Sequence, residues 1–396
     1  MSSALRTNLL KLHLWVGLHV AIYFILMFVT GAALVFRGEL NNLVQPVPVV
    51  AVPADAELMG ADQLYDALSA QYETATIYNI SVPTRPGRAV SVNLFDPVRG
   101  QINAIADPYS GAVLVEHKKQ TIVQYIRDMH ASLLIPRRVG FLLVSSSSLI
   151  LFFSVVSGLI SYRRFWRGLA RMPSSALPDR ARWGGWHRLL GLWVAPFLLI
   201  TALSGLYFFA KDIGVDGSSP PPPPVSERQD TRPPGFGAAT IRAATDSVAR
   251  QFPNFELAAV ALPDGPRKPI TLKGVNAPGG IMAGQSYFVD PVTLQVLGGT
   301  SPWDSTGLRK ISPWIIALHY GNWGGLGVRI LWVVFSLGAT ALIFAGLCVY
   351  VARSAASGPE SGSALLRFWR GMGLIRWAYL LLAAGMAALT LLRYVL

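Results

Sequence analysis

Five stretches of the chain are apolar and contain no Asp, Glu, Lys or Arg. Four of them reach the roughly 20 residues that a helix rising about 1.5 Å per residue needs to cross the hydrocarbon of a bilayer. The fifth is shorter and lies between two arginines that can extend to the interface. We therefore expect a fifth span there, with an amphipathic surface helix as the alternative. The stretches are 14–36, 139–162, 189–210, 330–352 and 377–392.

The two long segments between these stretches have the pattern of small α+β modules. In each, a helical period is followed by short alternating runs that are typical of β-strands, and each ends in Asp-Pro-x-x-x-x-Val-Leu. The proline-rich stretch 216–224 predicts a stiff extended linker, with a polyproline ligand as the alternative. The predicted elements are helices over 61–72 and 239–251, and strands over 77–82, 89–95, 102–106, 257–262, 270–273 and 287–289.

The second half of the chain repeats the first. Equivalent positions carry a histidine at the start of spans one and three, a histidine shortly before spans two and four, and a small residue followed by glycine inside each span. We therefore expect the four spans to form two matching halves. The equivalent positions are His13 and His187, His130 and His319, Thr30-Gly31 and Ser204-Gly205, and Ser157-Gly158 and Ala345-Gly346, the last with a slip of one residue.

The composition places the chain among membrane proteins, because 52% of its residues are hydrophobic and only 14% are charged. The net charge of +13 does not indicate nucleic-acid binding, since the segments 37–138 and 211–327 are nearly neutral and leave no basic face for phosphates.

The connection 161–188 has seven arginines and one acid, which places it and the N-terminus in the cytoplasm and both modules outside. The single cysteine, Cys348, excludes an internal disulfide, a Cys-based iron–sulfur site and a thiolate zinc site.

Four of the six histidines form two pairs at equivalent positions of the repeat. We call His13 and His187, at the cytoplasmic start of their spans, the first pair, and His130 and His319, at the outer start of theirs, the second pair. Two imidazoles that face one another across a bundle at one depth are the geometry of six-coordinate b-type haem. The pattern therefore predicts two haem b groups with these four histidines as iron ligands. The alternative for each histidine is an interfacial hydrogen-bonding residue.

Other residues near the pairs have two interpretations each. The glycines four residues after the first-pair histidines admit a flat macrocycle or allow close helix packing. Two arginines before span two pair with haem propionates or remain solvated. His19 aligns with Trp193, and His117 lies in a polar run and is expected on the surface. Neither is therefore predicted as a ligand. These residues are Gly17 and Gly191, Arg137 and Arg138, and His19 and His117.

The distance between the two pairs is a difficulty for this interpretation. A straight helix from His130 to Tyr162 would separate the pairs by roughly 45 to 50 Å, and direct electron transfer over that distance would be slow. A break at Pro136 or bridging aromatic side chains would shorten the route. The aromatic candidates, for which core packing or lipid contact is the alternative, are Phe24, Phe28, Phe152, Phe153, Tyr207 and Trp332.

With these features the chain resembles the PepSY-associated transmembrane family. The resemblance rests on His-x-x-x-Gly-Leu at the start of spans one and three, a span ending in Thr/Ser-Gly, the Asp-Pro ends of both modules, and the stretch 319–329. It covers nearly the whole chain. Within that family the chain is most similar to bacterial inner-membrane ferric-siderophore reductases of the ferrioxamine-utilisation type. The resemblance implies two b haems, held by the two histidine pairs, and reduction of ferric iron held by a periplasmic hydroxamate siderophore.

We therefore expect an α-helical membrane bundle of four core transmembrane helices and a fifth, with two periplasmic α+β modules that resemble PepSY domains. The predicted domain bounds are 1–36 for the N-terminus and span one, 37–129 for module one, 130–162 for span two, 163–186 for a cytoplasmic loop, 187–210 for span three, 211–318 for the linker and module two, 319–352 for span four, 353–370 for a second cytoplasmic loop and 371–396 for the fifth span.

Siderophore reduction requires an electron at the outer face and a docking surface. It requires no catalytic side chain, so none is predicted beyond the haems. One added electron loosens the chelate, because hard hydroxamate oxygens hold ferric iron more strongly than ferrous iron. No Gly-x-Gly-x-x-Gly nucleotide fingerprint occurs, so we expect a separate electron donor, either a cytoplasmic reductase or a membrane quinol. The predicted docking residues, for which an interfacial aromatic belt is the alternative, are Trp303, Arg309, Lys310, Trp314, Tyr320 and Trp323.

Two other functions fit parts of the pattern. Two similar halves around a midplane site are typical of transporters, here of a siderophore or haem, with histidines as proton relays. The spans nevertheless show no broken segments at matched positions and no buried carboxylate. A haem-free scaffold or peptidase regulator would instead use the external modules to bind protein. An absorbance spectrum separates these functions, because only a cytochrome has a Soret band that shifts on reduction.

Overall fold

The computed structural model describes residues 3–54, 57–83, 86–117, 121–162, 172–227, 230–276, 284–355 and 363–392. The chain folds into two units. A helical unit contains Met1–Gly38, Ile122–Asp216 and Trp314–Leu396, and a sheet unit contains Glu39–Thr121 and Gly217–Pro313. Parts of the two predicted cytoplasmic loops and the last four residues of the predicted fifth span lie outside the described residues.

The elements follow in chain order. The helices are α1 (Ser3–Val35), α2 (Arg37–Val44), α3 (Ala61–Gln71), α4 (Ile122–Ser132), α5 (Arg137–Ser161), α6 (Asp179–Asp212), α7 (Ala238–Gln251), α8 (Ser312–Tyr320), α9 (Gly325–Ala355), α10 (Ala364–Gly371) and α11 (Ile375–Thr390). The strands are β1 (Thr76–Ser81), β2 (Val90–Asp96), β3 (Gly100–Ala106), β4 (Val113–His117), β5 (Phe255–Ala261), β6 (Ile270–Asn276), β7 (Gly284–Val289) and β8 (Val296–Thr300).

Within the described residues, the sheet unit is one antiparallel sheet with the strand order β4-β3-β2-β1-β5-β6-β7-β8. The two predicted modules are its halves, each with one helix and four strands. Strands β1 and β5 join them, with Ile80 opposite Val260, and this pairing removes two exposed strand edges. The sequence pattern missed β4 and β8, which follow the Asp-Pro turns. Helices α3 and α7 pack together over the sheet, and the core between them includes Leu64, Leu68, Ile80, Ile241, Val248, Val260 and Ile270.

Each half of the sheet uses its Asp-Pro sequence as a tight turn before the last strand. Asp107 Oδ1 accepts hydrogen bonds from two backbone N–H groups of its turn, at 2.7 and 3.2 Å. Asp290 Oδ1 does the same at 2.8 and 3.1 Å, and its Oδ2 also accepts from the Ser226 N–H at 2.6 Å. Burial would raise the pKa of Asp290, but these backbone donors outweigh burial and lower the pKa below its ordinary value.

Replacing Asp290 with asparagine is expected to destabilise this turn by about 1.5–3 kcal/mol, the range typical of hydrogen bonds to a charged group. Because the pKa of Asp290 is lower in the folded chain than the roughly 3.9 of an exposed aspartate, its contribution is complete above that pH. The contribution is lost as the pH falls through the lowered value. Hydrogen exchange of the turn amides in the full-length protein, followed from about pH 6 down to about pH 2, measures the effect.

The equivalent Asp107→Asn variant is the control. Asp107 accepts from two backbone N–H groups, whereas Asp290 accepts from a third, that of Ser226. Replacing Asp107 should therefore reduce the protection of the amides in the Asp107 turn less than replacing Asp290 reduces it in the Asp290 turn. Equal protection of the Val292 and Thr293 amides in wild-type protein and in Asp290→Asn would contradict this account of the turn.

Within the described residues, four helices are long and apolar enough to cross a membrane, namely α1, α5, α6 and α9. Helix α1 packs against α5 and α9, and α6 packs against the same two, so α1 and α6 face each other across the bundle. The bundle interior is apolar and aromatic, with Phe24, Phe28, Phe197 and Trp332 all buried. The four apolar runs therefore form one four-helix membrane bundle.

The predicted second span, 130–162, is two helices in the structure. His130 lies on α4, and the chain leaves this helix through Leu133 and Leu134, which both have positive φ. Their N–H groups bond to carbonyls of the last turn of α4, at 3.1 and 3.2 Å, as in a common helix C-cap. Pro136 then precedes α5. The sequence interpretation of one continuous helix from His130 is wrong, because apolar composition does not reveal this C-cap.

The fourth predicted span, 319–352, is divided in the same way. His319 lies at the end of α8, and the chain turns at Gly321, whose φ is 67°. A Cβ at Gly321 would lie 2.6 Å from the Trp332 ring, so glycine is required there. Trp332 Nε1 donates to the Leu318 carbonyl at 2.9 Å and ties α8 to α9. Each half thus places its second-pair histidine on a short helix before a span.

The predicted fifth span, 371–396, contains α11. Helix α10 precedes it, largely within the loop predicted over 353–370, and the two helices meet at an angle of 99°. Helix α11 has 16 residues and is therefore about 24 Å long, short of the roughly 30 Å of a bilayer core. Helix α10 buries Phe368 beside Leu18 and Met372 and carries Arg367 and Arg370. The region thus contains both an apolar helix and a short amphipathic helix.

Candidate cofactor-binding site

The first pair lies between two helices that face each other across the bundle. His13 comes from α1 and His187 from α6, and their ring centres are 6.3 Å apart with an interplanar angle of 67°. A metal–nitrogen bond of about 2.0 Å and about 1.1 Å from nitrogen to ring centre, on both sides, would separate two axial imidazoles by about 6 Å. The first pair therefore fits two axial ligands of one metal ion.

Each first-pair histidine is held by the span next to its own. His13 Nδ1 hydrogen-bonds to the Ser157 hydroxyl of α5 at 3.2 Å, and His187 Nδ1 to the Leu342 carbonyl of α9 at 2.9 Å. The rings also lie against glycine. A Cβ at Gly158 would be 3.2 Å from Cε1 of His13, and one at Gly346 would be 3.1 Å from Cε1 of His187. These glycines leave just enough room for the rings.

The second pair is built in the same manner. His130 Nδ1 hydrogen-bonds to the Thr30 hydroxyl of α1 at 2.9 Å, and a Cβ at Gly31 would be 3.2 Å from its ring. His319 Nδ1 hydrogen-bonds to the Ser204 hydroxyl of α6 at 2.8 Å. Thr30 and Ser204 occupy equivalent positions of α1 and α6, which face each other across the bundle, so His130 and His319 are held at the same level. The structure thus places the first-pair rings side by side and holds the second-pair rings at a second level.

The hydroxyl partners determine which imidazole nitrogen remains available. Thr30 Oγ1 donates its proton to the Leu26 carbonyl at 2.6 Å, and Ser204 Oγ donates to the Ile200 carbonyl at 2.8 Å. Ser157 Oγ likewise has an intrahelical carbonyl partner at 3.2 Å. Because each hydroxyl proton is used in its own helix, the hydroxyl oxygen accepts from Nδ1–H of the histidine. The Nε2 lone pair is then free, as required of a metal-ligating histidine.

The structure reduces the distance between the pairs. Helix α4 packs on α1 and places His130 against Thr30, which is 17 residues from His13 on the same helix. The same 17 residues separate His187 from Ser204 on α6. At about 1.5 Å per residue the two levels are about 25 Å apart. The 45 to 50 Å of a straight helix does not apply, because the chain breaks just before Pro136, one of the alternatives named above, and His130 does not lie on the second span.

Aromatic rings fill the bundle between the two levels. The ring centre of Phe28 lies 6.3 Å from those of Phe24 and Phe197, and the ring centres of Phe197 and Trp332 are 5.8 Å apart. Three of these four were candidates from the sequence, and Phe197 was missed because no local pattern distinguishes it from other apolar residues. Of the other candidates, Tyr207 is buried and Phe152 is exposed on the bundle surface.

The accessory residues near the pairs lie in different surroundings. A Cβ at Gly17 would meet no atom within 4 Å, so this glycine borders open space and is not at a close helix contact. Gly191 is in ordinary contact with Leu342, at 3.5 Å. Arg137 stacks over Phe141 at 5.0 Å, and Arg138 is exposed. Their predicted roles toward a macrocycle and its propionates remain predictions.

The two unpaired histidines have other contacts. His19 stacks on Trp15 with ring centres 4.5 Å apart, and its Nδ1 hydrogen-bonds to the Trp15 carbonyl at 2.7 Å. His117 ends β4, where its Nε2 hydrogen-bonds to the Pro46 carbonyl at 3.3 Å.

The predicted docking residues are divided between the two units. Trp303, Arg309 and Lys310 belong to the sheet unit, and the other three belong to the helical unit. In the helical unit, the Tyr320 ring lies 5.8 Å from His319, and Trp323 lies 5.7 Å from Trp332. Trp314 is exposed. A docking surface formed by the six residues stays a prediction.

Sequence analysis missed the partners of the histidines. It recognised Thr30-Gly31, Ser204-Gly205 and Ser157-Gly158 as repeated small pairs but assigned no contact to them. A signal was present, since a small hydroxyl residue and glycine recur 17 residues after each first-pair histidine. In the structure, the hydroxyl binds the imidazole of the other level, and Gly31 and Gly158 lie against the rings.

Two histidines at one level suit an iron porphyrin, which brings four nitrogens of its own and needs two axial ligands. Among the described residues, no three His, Cys, Asp or Glu side chains converge as a separate metal site. A search of the curated proteins found no match. Residues 10–353 match the family described as PepSY-associated TM region. Because this match spans most of the chain and contains both histidine pairs, the chain belongs to the PepSY-associated TM region family.

Proposed function

We propose that the chain is a di-haem b-type cytochrome that passes electrons across the bacterial inner membrane to ferric iron in periplasmic siderophores. The main support is the position of the histidines. His13 and His187 lie side by side at one level of a single apolar bundle, and His130 and His319 are held at a second level by equivalent residues of α1 and α6. His13 and His187 would hold one haem, and His130 and His319 the other. When bound, haem b supplies a one-electron couple between ferric and ferrous iron.

The residues around each pair suit electron transfer. Two imidazoles at each level would hold one haem iron and would leave no iron site for a substrate. The hydroxyls and the carbonyl that bind Nδ1 hold each ring in one orientation. The packed aromatic core between the levels excludes water from the route. These features favour electron transfer over transport. The breaks before α5 and α9 stand at matched positions of the two halves, which the sequence pattern did not show and which transporters share.

Charge supports one orientation in the membrane. The arginine-rich connection between spans two and three indicates the cytoplasmic side, which would place the first pair near the cytoplasm. The second pair and the sheet unit would then lie on the periplasmic side. In this arrangement electrons enter at the first pair and leave at the second pair.

The substrate is proposed from the family resemblance and from ligand chemistry. One electron reduces one ferric ion to ferrous iron, and hydroxamate oxygens hold ferrous iron far less strongly, so the metal leaves the chelate. A membrane quinol or a separate cytoplasmic reductase supplies the electron and is oxidised. The chain would thus be a ferric-siderophore reductase, an oxidoreductase without an acid, base or nucleophile of its own.

A pigment count tests the proposal most directly. Protein purified from haem-supplied cells is expected to contain two haem b per chain and to show a Soret band that sharpens and shifts on addition of dithionite. Haem extraction with pyridine measures the count, and the absorbance spectrum measures the axial ligation. A colourless preparation from such cells would contradict the cytochrome and favour a relay or scaffold function.

A further inference from the structure

The hydrogen bonds to the four paired histidines are not all of one kind. Nδ1 lies within hydrogen-bond distance of a side-chain hydroxyl in three of the histidines and of a backbone carbonyl in the fourth. His13 and His130 also have a backbone carbonyl partner in the same turn as the hydroxyl, at Ser154 and Met27. At the position equivalent to Ser157, the second half of the chain has Ala345, which offers no hydroxyl. The acceptors are Ser157 for His13, Thr30 for His130, Ser204 for His319 and the Leu342 carbonyl for His187.

We propose, resting on the function proposed above, that Thr30, Ser157 and Ser204 are positioning residues. Their hydroxyls hold the ligand imidazoles in the Nδ1–H form and thereby set the midpoint potential of the haem that each imidazole binds. The Leu342 carbonyl performs the same role for His187, which explains how the chain dispenses with a hydroxyl at Ala345.

The direction of the effect follows from the acceptor. A hydrogen bond from Nδ1–H makes the imidazole a more electron-rich ligand, which favours ferric over ferrous iron and lowers the potential. The one hydroxyl proton of Thr30 is donated to the Leu26 carbonyl at 2.6 Å. Thr30 Oγ1 therefore acts on His130 as an acceptor. Ser204 has the same geometry towards His319. Removal of either hydroxyl should therefore raise the potential.

Helices α1 and α6 each carry a ligand of one pair and the hydrogen-bond partner of a ligand of the other pair. The proposal therefore predicts which haem each variant affects. Helix α1 carries His13 of the first pair and also Thr30, which binds His130 of the second pair. Helix α6 carries His187 of the first pair and Ser204, which binds His319. A change at Thr30 or Ser204 should alter the second-pair haem alone, although both residues share a helix with a first-pair ligand.

Redox titration of the full-length protein tests the proposal with the variants Thr30→Val and Ser204→Ala. Each is expected to raise the midpoint potential of one of the two haems by about 59 mV. For one electron this corresponds to a roughly tenfold change in the ferric-to-ferrous ratio. Thr30→Ser, which keeps the hydroxyl, should restore the wild-type potential. Ser157→Ala should shift the other haem.

Thr201 provides a matched control on α6. Its hydroxyl donates to the carbonyls of its own helix at 3.1 and 3.0 Å, as Ser204 does, but among the described residues it contacts no histidine. Thr201→Val is therefore expected to leave both potentials unchanged. If Thr30→Val loses a haem that Thr30→Ser and Thr201→Val retain, the role in holding the ligand is supported.

Three results would overturn the proposal in different ways. Two haems with unshifted potentials in Thr30→Val and Ser204→Ala would refute the role of the hydroxyls and leave the cytochrome intact. Equal shifts in Thr201→Val would refute it as well, because loss of an intrahelical hydroxyl would then be the cause. A wild-type protein without haem would refute the proposed function together with this inference.

Discussion

Replacing His319 with alanine is expected to leave the purified protein with one haem b per chain instead of two. The variant removes one of the two imidazoles proposed to hold the second-pair haem, and alanine supplies no ligand in its place. The first pair should keep its haem, because it lies about 25 Å away and shares no ligand or hydrogen-bond partner with His319. Haem extraction and the reduced-minus-oxidised spectrum measure the loss.

The same experiment with the other paired histidines makes the assignment sharper. His130→Ala should give the same one-haem product as His319→Ala, whereas His13→Ala and His187→Ala should lose the other haem. The two one-haem products are distinguished by their midpoint potentials. His19→Ala and His117→Ala are the controls and should retain both haems, because their rings contact Trp15 and Pro46 instead of another paired histidine. Two haems in His319→Ala and in His130→Ala would show that the ligand assignment is wrong.

Protein reduced beforehand is expected to be reoxidised when ferrioxamine B is added in the absence of oxygen. Each electron lost by the protein should appear as one ferrous ion, which a ferrous-specific chelator captures, so a chain with two haems releases two ferrous ions. In His319→Ala the remaining haem should be reoxidised roughly a hundredfold more slowly, equal to about 2.7 kcal/mol of barrier, because the electron no longer has a carrier at the second level. Stopped-flow absorbance measures both rates.

Gallium-loaded desferrioxamine B is the matched control for this reaction. It has the charge and shape of the ferric complex but takes no electron, so the reduced spectrum should persist. A reduced spectrum that also survives ferrioxamine B would end the reductase proposal and leave the cytochrome proposal standing. If His13→Ala is slowed as strongly as His319→Ala, the proposed direction of electron flow is wrong.

Much of the fold follows from local patterns in the sequence. The four apolar runs are the cores of α1, α5, α6 and α9, because a helix that crosses lipid must be apolar over about 20 residues. The helices and three strands of each half of the sheet lie within a few residues of their predicted positions. The repeat also placed the histidines in two pairs, since duplicated sequences fold into equivalent positions.

The remaining features depend on contacts that no local pattern contains. The strand pairing between β1 and β5 joins residues about 180 positions apart and makes one sheet from two modules. The C-cap at Leu133 and Leu134 separates His130 from the second span. Pro136 indicated a break there as one alternative, but the sequence did not show that the preceding helix packs on α1.

The sequence by itself determined that this chain is a membrane bundle with histidines at matched positions, because hydrophobic length and duplication are written in the order of residues. Only the tertiary structure decided how far apart the two pairs lie and which groups hold them. Ser157 meets His13 across 144 residues of chain, and Leu342 meets His187 across 155. Such hydrogen bonds are set by how the helices pack side by side, and packing depends on the whole bundle at once.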